Sequence, residues 1–276
     1  MGLLDGQYAS MTTGRSMDFD DLRSYVPGDD VKDIDWKSSA RSGELLIKSY
    51  RAERRHTLAF VVPSGGSLAS AATLTHSKID VVLAAIGVLA WVACHQGDYV
   101  TVIAPGKDGP SVARPSYRDT QIEHMLAGLD AGCRLETPDP DLVELLDLTA
   151  SGLRRRCIVV VVLDDWDPRP ADVDALASLC ARHEVLAIEV SDLDLTDPAL
   201  ATVPTRDQAT GRPVPGFVAR DRQVREQAVA AQQERARRRG HTLDRLGIIH
   251  ESVADVDDSV AAIVRLLERM RHASRH

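Results

Sequence analysis

Paired cysteines are the first feature that this sequence lacks. Its 276 residues include four cysteines, Cys94, Cys133, Cys157 and Cys180, which stand far apart, without a C-x-x-C or another metal-ligand spacing. This spacing excludes a zinc ribbon or a disulfide framework as the basis of the fold. Because three of them lie in apolar segments, we expect buried free thiols and a reducing, cytoplasmic environment.

Excess positive charge and long apolar runs are also missing. The formal net charge is −8, which argues against a general affinity for nucleic acid, because such binding depends on neutralising phosphates. The longest apolar run, residues 81–94, is shorter than the about 20 residues that a membrane-spanning helix needs. Residues 1–16 lack the basic start and apolar centre of a signal peptide. We therefore expect a buried core helix at 81–94 and no direct membrane insertion.

Motifs of common enzyme classes are absent from the sequence as well. It contains no phosphate-binding G-x-x-x-x-G-K-[ST] loop, no nucleophilic G-x-S-x-G and no zinc-binding H-E-x-x-H. The nine histidines form no pair with a metal-ligand spacing. These absences predict no nucleotide or other cofactor and favour a protein that is not an enzyme.

The most distinctive segment that is present spans residues 19–43 and reads FDDLRSYVPGDDVKDIDWKSSARSG. It contains six aspartates, and its Pro27-Gly28 dipeptide is typical of a turn. Disordered linkers are depleted in aromatic residues, whereas this segment carries Tyr25 and Trp36. We interpret it as a folded loop that docks on the rest of the protein, with Trp36 as the anchoring side chain.

This segment resembles the signature of the bacterial family labelled domain of unknown function 58, in which R-x-Y-x-P-G-D-D is followed by I-D-W and A-R-x-G. The matching residues are Arg23, Tyr25, Pro27, Gly28, Asp29, Asp30, Ile34, Asp35, Trp36, Ala40, Arg41 and Gly43. The resemblance implies a von Willebrand factor A-like domain. It also implies a partner, an AAA+ ATPase of the MoxR type, and with it a client protein in a chaperone-like system.

Strand-like and helix-like runs alternate along the rest of the chain. The predicted strands cover 57–62, 99–104, 158–163, 185–190 and 247–251, and the predicted helices 77–96, 118–129, 141–153, 171–183, 220–239 and 256–270. This alternation predicts a doubly wound α/β domain with a mostly parallel sheet. Turn residues between 192 and 217 predict a short β-hairpin on a sheet edge. We therefore divide the chain into a docked signature segment, residues 1–54, and a von Willebrand factor A-like domain, residues 55–276.

The resemblance also implies a site where three strands end. Von Willebrand factor A domains hold a divalent cation there with oxygen ligands from D-x-S-x-S, a threonine and an aspartate on three loops, which suits Mg²⁺. The corresponding positions here are Pro63, Gly65, Ser67, Thr137, Asp164 and Asp165. Proline and glycine replace the first aspartate and the first serine, so we expect a degenerate site without metal. If Mg²⁺ did bind, Ser67, Thr137 and Asp164 would be the remaining ligands.

The aspartates of the signature segment admit two interpretations. Asp29, Asp30, Asp33 and Asp35 could carry acid–base chemistry or bind a metal, as in a metal-dependent hydrolase or nuclease. Aspartate is also the usual residue of turns and helix N-caps, and nearby arginines and lysines offer ion-pair partners. We favour the second interpretation, and with it an adaptor or substrate-handling module. Carboxylates that converge within about 4–5 Å of one point would favour the enzyme.

Overall fold

The chain divides into two units in the computed structural model, which describes residues 17–26, 29, 31–52, 55–107 and 109–273. One unit lies within Gln7–Arg55 and the other within His56–His276. We call them the hairpin unit and the α/β body. The predicted docking of the first on the second stays a prediction.

The hairpin unit is built on two antiparallel strands. Strand β1 (Met17–Ser24) pairs with β2 (Leu46–Ala52), and helix α1 (Trp36–Ser42) lies between them in the sequence. Sequence analysis predicted a loop over this stretch, and the structure corrects it to a strand, a 3-10 turn at Val31–Asp33 and a helix. The aspartates of β1 interrupt its apolar alternation, so the strand is recognisable only through its pairing with β2.

Helix α1 is defined by capping groups at both ends. At its start, the Asp35 carboxylate accepts hydrogen bonds from the backbone N–H groups of Lys37 (3.1 Å) and Ser38 (3.0 Å). At its end, Gly43 adopts the left-handed conformation, with φ of +78°, and its N–H donates to the Ser39 carbonyl at 3.0 Å. The Ser39 hydroxyl accepts the N–H of Leu46 at 2.8 Å, which joins the helix to β2.

We expect Gly43→Ala to destabilise the hairpin unit by about 1 kcal/mol, because a side chain at positive φ meets its own carbonyl oxygen. Exchange rates of the amides of residues 36–47 are the measurement, and they should rise. Gly87→Ala is the matched control, because Gly87 lies inside a helix of the α/β body with nothing within 4 Å of an added Cβ. That variant should be neutral or more stable; equal effects of the two would contradict the argument.

The α/β body alternates strands and helices. Its elements in chain order are β3 (Thr57–Val61), α2 (Gly66–Ala69), α3 (Lys78–His95), β4 (Tyr99–Gly106), β5 (Gly109–Val112), α4 (Asp119–Gly132), α5 (Leu142–Gly152), β6 (Ile158–Leu163), α6 (Pro170–Cys180), β7 (Glu184–Val190), β8 (Thr205–Arg206), β9 (Pro213–Val214), α7 (Phe217–Arg220), α8 (Arg222–Arg245), β10 (Ile249–Val253) and α9 (Ser259–Ala273).

Six of these strands form one sheet with the order β10-β7-β6-β3-β4-β5. All neighbouring pairs are parallel except β4 and β5, which form an antiparallel hairpin at the edge. The predicted doubly wound, mostly parallel α/β fold is confirmed. Two details differ from the prediction: β5 was expected to be loop, and the β8–β9 hairpin forms its own small sheet instead of extending the main one.

Both faces of the central sheet are buried, which explains the continuous apolar runs of its strands. Phe60, Val160 and Val162 point to one face, where they pack with α3, α4 and α9. Val159 and Val161 point to the other face, where they pack with α5 and α6 and with the end of α8. Successive residues of one strand thus belong to two cores, as the two-residue period of a strand requires.

The C-terminal end of α8 is a further correction. Gly240 was expected to end this helix, but the helix continues to Arg245 and the left-handed turn occurs at Gly247, where φ is +70°. The following strand therefore starts at Ile249, two residues later than predicted. Tertiary packing of Leu243, which is fully buried, outweighs the modest helix penalty of Gly240.

Helix α3 is the one helix of the described residues that is long and apolar enough to span a membrane by length and composition. Half of it is buried inside the body. Val81, Ala85 and Ile86 belong to the core on one face of the sheet. These contacts match the core helix that the sequence predicts at 81–94.

Candidate functional site

The candidate site lies where the strand order of the main sheet reverses. Strand β3 is followed by helices on one face of the sheet and β6 by a helix on the other, so their loops separate and leave a crevice. Ser67 follows β3 in this crevice, and Asp164 follows β6. Ligands of open α/β sheets bind in such crevices, beyond the carboxyl ends of the strands.

A buried lysine occupies the centre of this crevice. Lys78 is the first residue of α3, and its side chain is only 3% exposed. Its Nζ lies 2.7 Å from Asp164 Oδ1 and forms a second ion pair with Asp192 Oδ1. Asp164 also accepts hydrogen bonds from the Ser67 hydroxyl and, at 2.7 Å, from the backbone N–H of Asp165. One ammonium therefore joins the loops that follow β6 and β7, and Asp164 joins them to Ser67.

The electrostatics of this cluster keep Lys78 charged. Burial alone would lower the pKa of Lys78, but the carboxylates of Asp164 and Asp192 outweigh that effect and raise the pKa above its ordinary value of 10.5. The pKa of Asp192 is raised as well, because burial and its carboxylate neighbours together outweigh the attraction of Lys78. The two directions are consistent with one ammonium shared between two carboxylates.

Two glycines allow the loop after β3 to meet the loop of residues 133–139. The Gly66 N–H donates to the Thr137 carbonyl at 2.8 Å, and the Ser67 N–H donates to Asp139 Oδ1 at 2.8 Å. A Cβ at Gly65 would lie 2.9 Å from the Cα of Asp139, which is closer than side chains approach. The glycines at 65 and 66 thus allow this close approach between two loops.

We expect Gly65→Ala to destabilise the α/β body by about 2 kcal/mol, because the added methyl group meets the backbone of Asp139 and Pro138. The reactivity of Cys133 gives a local readout. Burial raises the pKa of this thiol to about 11, so in the wild type it should react slowly with disulfide reagents at mildly alkaline pH. Loop displacement in the variant should speed the reaction.

Gly128→Ala is the matched control for this experiment, because Gly128 lies in α4 with nothing within 4 Å of an added Cβ. It should leave the reactivity of Cys133 unchanged. Unchanged reactivity and stability of Gly65→Ala would show that the two loops do not depend on their close approach.

The predicted adhesion-site positions differ in what they contact. Ser67 and Asp164 lie together, and the Ser67 hydroxyl donates a hydrogen bond to the Asp164 carboxylate. Thr137 takes part through its backbone carbonyl, while its hydroxyl is directed to the Gly132 carbonyl at 3.4 Å. Asp165 is directed away from the crevice and pairs with Arg239 at 2.8 Å. Pro63 offers no side-chain oxygen and Lys78 pairs with Asp164, so while this ammonium is in place the residues present do not fit the oxygen cage of a divalent ion.

Sequence analysis missed Lys78, Asp139 and Asp192 as members of the site. A usable signal existed for Lys78, because it is one of five lysines and lies three residues before the apolar run at 81–94 that the sequence assigns to the core. A lysine is almost never fully buried unless it is paired. Asp139 and Asp192 lie in turn-rich stretches, where aspartate is common for local reasons.

A second ionic network adjoins the crevice and begins at Asp165. Arg239 of α8 pairs with Asp165 (2.8 Å) and with Glu189 (3.0 Å), and Glu189 also pairs with His250 Nδ1 at 2.9 Å. His250 Nε2 lies 3.4 Å from Asp244. The network fixes the C-terminal part of α8 against β7 and β10.

A groove of about 550 Å³ opens beside the loop after β3. It is bordered by the segment 69–77, by Leu135 and by the β8 end of the small hairpin, where Gln208 donates a hydrogen bond to the Leu135 carbonyl at 3.2 Å. Two of its lining side chains, Leu74 and Leu135, are 59% and 57% exposed. These two leucines give the groove an exposed apolar surface.

Two aspartates of the signature segment accept hydrogen bonds from nearby backbone N–H groups. Asp29 accepts a hydrogen bond from the Val26 N–H at 3.0 Å, and Asp35 caps α1. Asp33 lies in the 3-10 turn. Among the described residues, no group of three or more histidine, cysteine, aspartate or glutamate side chains could hold a metal ion. The choice between the structural interpretation and the hydrolase or nuclease stays a prediction.

Other signature positions are described only in part. Pro27, Gly28 and Asp30 lie outside the described residues, as does the side chain of Arg23. The Tyr25 N–H donates to the Leu45 carbonyl at 2.8 Å, and Arg41 is exposed at the end of α1. Trp36 is 63% exposed, whereas the sequence predicts a buried anchor there. Its role in docking the hairpin unit stays a prediction.

Comparison with known families gives one match, to the model described as "Protein of unknown function DUF58", over residues 21–238. Curated relatives include the uncharacterized protein Rv1480 of Mycobacterium tuberculosis and the uncharacterized protein Mb1516 of Mycobacterium bovis. Each is 29% identical over 223 residues, which is 76% of this chain and 66% of the relative. The chain thus spans just under two thirds of the length of these relatives.

Solved structures that are similar include the conserved hypothetical protein BatB from Bacteroides thetaiotaomicron, with 13% identity and a TM-score of 0.48. That match covers 79% of this chain and 99% of the BatB chain. Another is a von Willebrand factor type A protein from Catenulispora acidiphila, with 12% identity and a TM-score of 0.41. It covers 83% of this chain and 43% of that one.

Proposed function

Since this chain belongs to the DUF58 family of proteins of unknown function, we propose that it is a non-enzymatic interaction module that binds a MoxR-type AAA+ ATPase. In this role it would act as an adaptor or substrate-handling partner in a chaperone-like system. The binding surface is the groove beside the crevice, between the segment 69–77 and the small hairpin. Such a partner would place the chain in the cytoplasm.

The groove is the observation that carries this proposal. Leu74 and Leu135 expose more than half of their surface at the carboxyl ends of the strands, on loops that the rigid sheet positions. The rim is mixed in character, because Arg206, Asp207 and His76 also line the groove. An apolar centre with a polar rim is the usual composition of a protein–protein interface.

The ion pairs and hydrogen bonds that the aspartates and Glu189 form within the protein support a role without catalysis. Asp164 and Asp192 are held by Lys78, Asp165 and Glu189 by Arg239, and Asp29 and Asp35 by backbone N–H groups. A general acid or base must have a carboxylate oxygen free to exchange a proton with a substrate. The oxygens of these carboxylates are engaged by donors of the protein itself.

Binding of the purified MoxR-type ATPase from the source organism to the immobilised chain tests this proposal. We expect a dissociation constant in about the micromolar range or below, as for a specific protein interface. An ATPase variant that binds but does not hydrolyse ATP should be compared with the nucleotide-free ATPase. Absence of binding in both states would refute the proposed partnership.

A further inference from the structure

We propose that Lys78 is the resident cation of the crevice, so that its ammonium takes the place that a divalent ion holds in metal-dependent adhesion sites. The inference concerns the isolated chain and does not depend on the proposed ATPase partner. It is carried by the position of Lys78 among the oxygens of Asp164 and Asp192, and by the disagreement of the remaining residues with a metal cage.

The oxygens of Asp164 are already engaged by donors of the protein. A divalent ion in this crevice would have to be bound by Asp164 and Ser67, which are the oxygen ligands that remain from the motif. Lys78 Nζ already lies 2.7 Å from Asp164 Oδ1, and the Ser67 hydroxyl is bonded to the other oxygen of the same carboxylate. With the additional N–H of Asp165 at 2.7 Å, three donors occupy Asp164. A carboxylate has about four acceptor positions, so little of Asp164 is left for an ion.

An ammonium group is a compact point charge with three donors, and Lys78 directs two of them to Asp164 and Asp192. It thereby joins loops from two neighbouring strands, as a bound ion would. A divalent ion that entered the crevice would be repelled by the positive charge of Lys78. It could bind only if the Lys78 side chain moved away.

The side chain of Lys78 is almost completely buried, so a carboxylate from another protein does not reach its ammonium. The usual contact of an adhesion site, in which a partner's acidic side chain completes the coordination of the metal, is therefore closed here. A partner that binds at the carboxyl edge of the sheet must therefore contact the surrounding loops, and its binding must be independent of divalent ions.

Thermal unfolding of four variants tests the charge argument. Lys78→Met keeps the volume but leaves two carboxylates without their cation, and should lower Tm by about 10 °C. Lys78→Met with Asp192→Asn removes one of the repelling charges and should recover at least about half of that loss. Lys107→Met, at an exposed turn, is the matched control and should shift Tm by about 2 °C or less. Asp164→Asn, which removes one carboxylate from the ammonium, should also lower Tm.

Addition of millimolar Mn²⁺ or Mg²⁺ tests whether the Lys78 ammonium occupies the place of a divalent ion. Neither ion should change the Tm of the wild type. In Lys78→Ala, which empties the space of the ammonium, Mn²⁺ should raise Tm by several degrees, and Asp164→Asn in that background should abolish the rise.

Four results would overturn the proposal. One is a Mn²⁺ or Mg²⁺ response of the wild type that is lost in Asp164→Asn. Another is a Tm of Lys78→Met that equals the Tm of Lys107→Met. If Mn²⁺ did not change the Tm of Lys78→Ala, the ammonium would not occupy a position that a divalent ion can take. If Lys78→Met does not fold, the double variant Lys78→Met with Asp192→Asn must fold. If neither variant folds, Lys78 stabilises the protein through something other than its charge.

Discussion

Replacing both Leu74 and Leu135 with serine should weaken binding of the MoxR-type ATPase about 100-fold. These leucines supply the exposed apolar surface of the groove, and the proposal places them among the few side chains whose truncation costs an interface about 2 kcal/mol or more. Because both side chains are more than half exposed in the free chain, serine should change its stability by only about 0.5 kcal/mol. The dissociation constant is the quantity to measure, with Tm recorded in parallel.

Trp91→Ala is the matched control for the groove variants. Trp91 is another large, exposed apolar side chain, 62% accessible, but it lies in the last turns of α3, far along the helix from the strand ends. Its loss should leave the dissociation constant within about twofold of the wild-type value. A groove variant that binds as tightly as the wild type, or a Trp91 variant that binds as weakly as the groove variants, would place the interface elsewhere.

Replacing Glu189 with alanine should lower the free energy of unfolding by about 3–5 kcal/mol, because it leaves Arg239 without its buried partner and His250 without its acceptor. Glu189→Gln retains a hydrogen-bond acceptor and should lower the free energy of unfolding by less than Glu189→Ala does. Glu226→Ala is the matched control, since Glu226 forms an ion pair with Arg222 in which both side chains are mostly exposed. Such surface pairs contribute about 0–1 kcal/mol.

The same network predicts a dependence of stability on pH. The hydrogen bond to Glu189 raises the pKa of His250 above 6.5 despite partial burial, and Asp244 adds to this effect. Burial would raise the pKa of Glu189, but His250 and Arg239 outweigh it and lower that pKa below 4.5. The contribution of His250 is complete below pH 6.5 and is lost as pH rises through its raised pKa; that of Glu189 is complete above pH 4.5 and is lost as pH falls.

Denaturant unfolding of the wild type and of His250→Gln at a series of pH values measures this dependence of stability on pH. The difference in the free energy of unfolding should be largest between pH 4.5 and 6.5 and should decline at higher pH. A difference that grows as pH rises above neutrality would contradict the assigned direction. For the glutamate variants, a decrease in the free energy of unfolding for Glu226→Ala as large as that for Glu189→Ala would contradict the role assigned to burial.

The main sheet was predictable because its strands carry their own signal. The run IVVVVL at 158–163 is apolar at every position, and the structure explains this by two buried faces. Edge elements were less predictable: β5 contains Gly109 and Pro110, which argue against a strand in general but are tolerated in an edge hairpin. Strand β1 was missed because its pairing partner, β2, lies more than twenty residues later in the chain.

The candidate site was predictable only where a family motif covers it. Ser67 and Asp164 were identified from motif positions, but the motif has no place for Lys78 or Asp192. Their meeting depends on how the start of α3 lies against the ends of β6 and β7, which is a property of the assembled sheet. The exposure of Leu74 and Leu135 is likewise a tertiary feature, because leucine alone predicts burial.

The measurement that tests the proposed function most directly is hydrogen–deuterium exchange of the chain with and without the ATPase in its ATP-bound state. The proposal predicts slower exchange in the segments that line the groove, residues 69–77, the loop around Leu135 and residues 205–208. The far end of α3, around Trp91, should exchange as in the free chain. Protection confined to other surfaces, or no protection at a saturating concentration of the ATPase, would contradict the proposal that this groove is the binding surface.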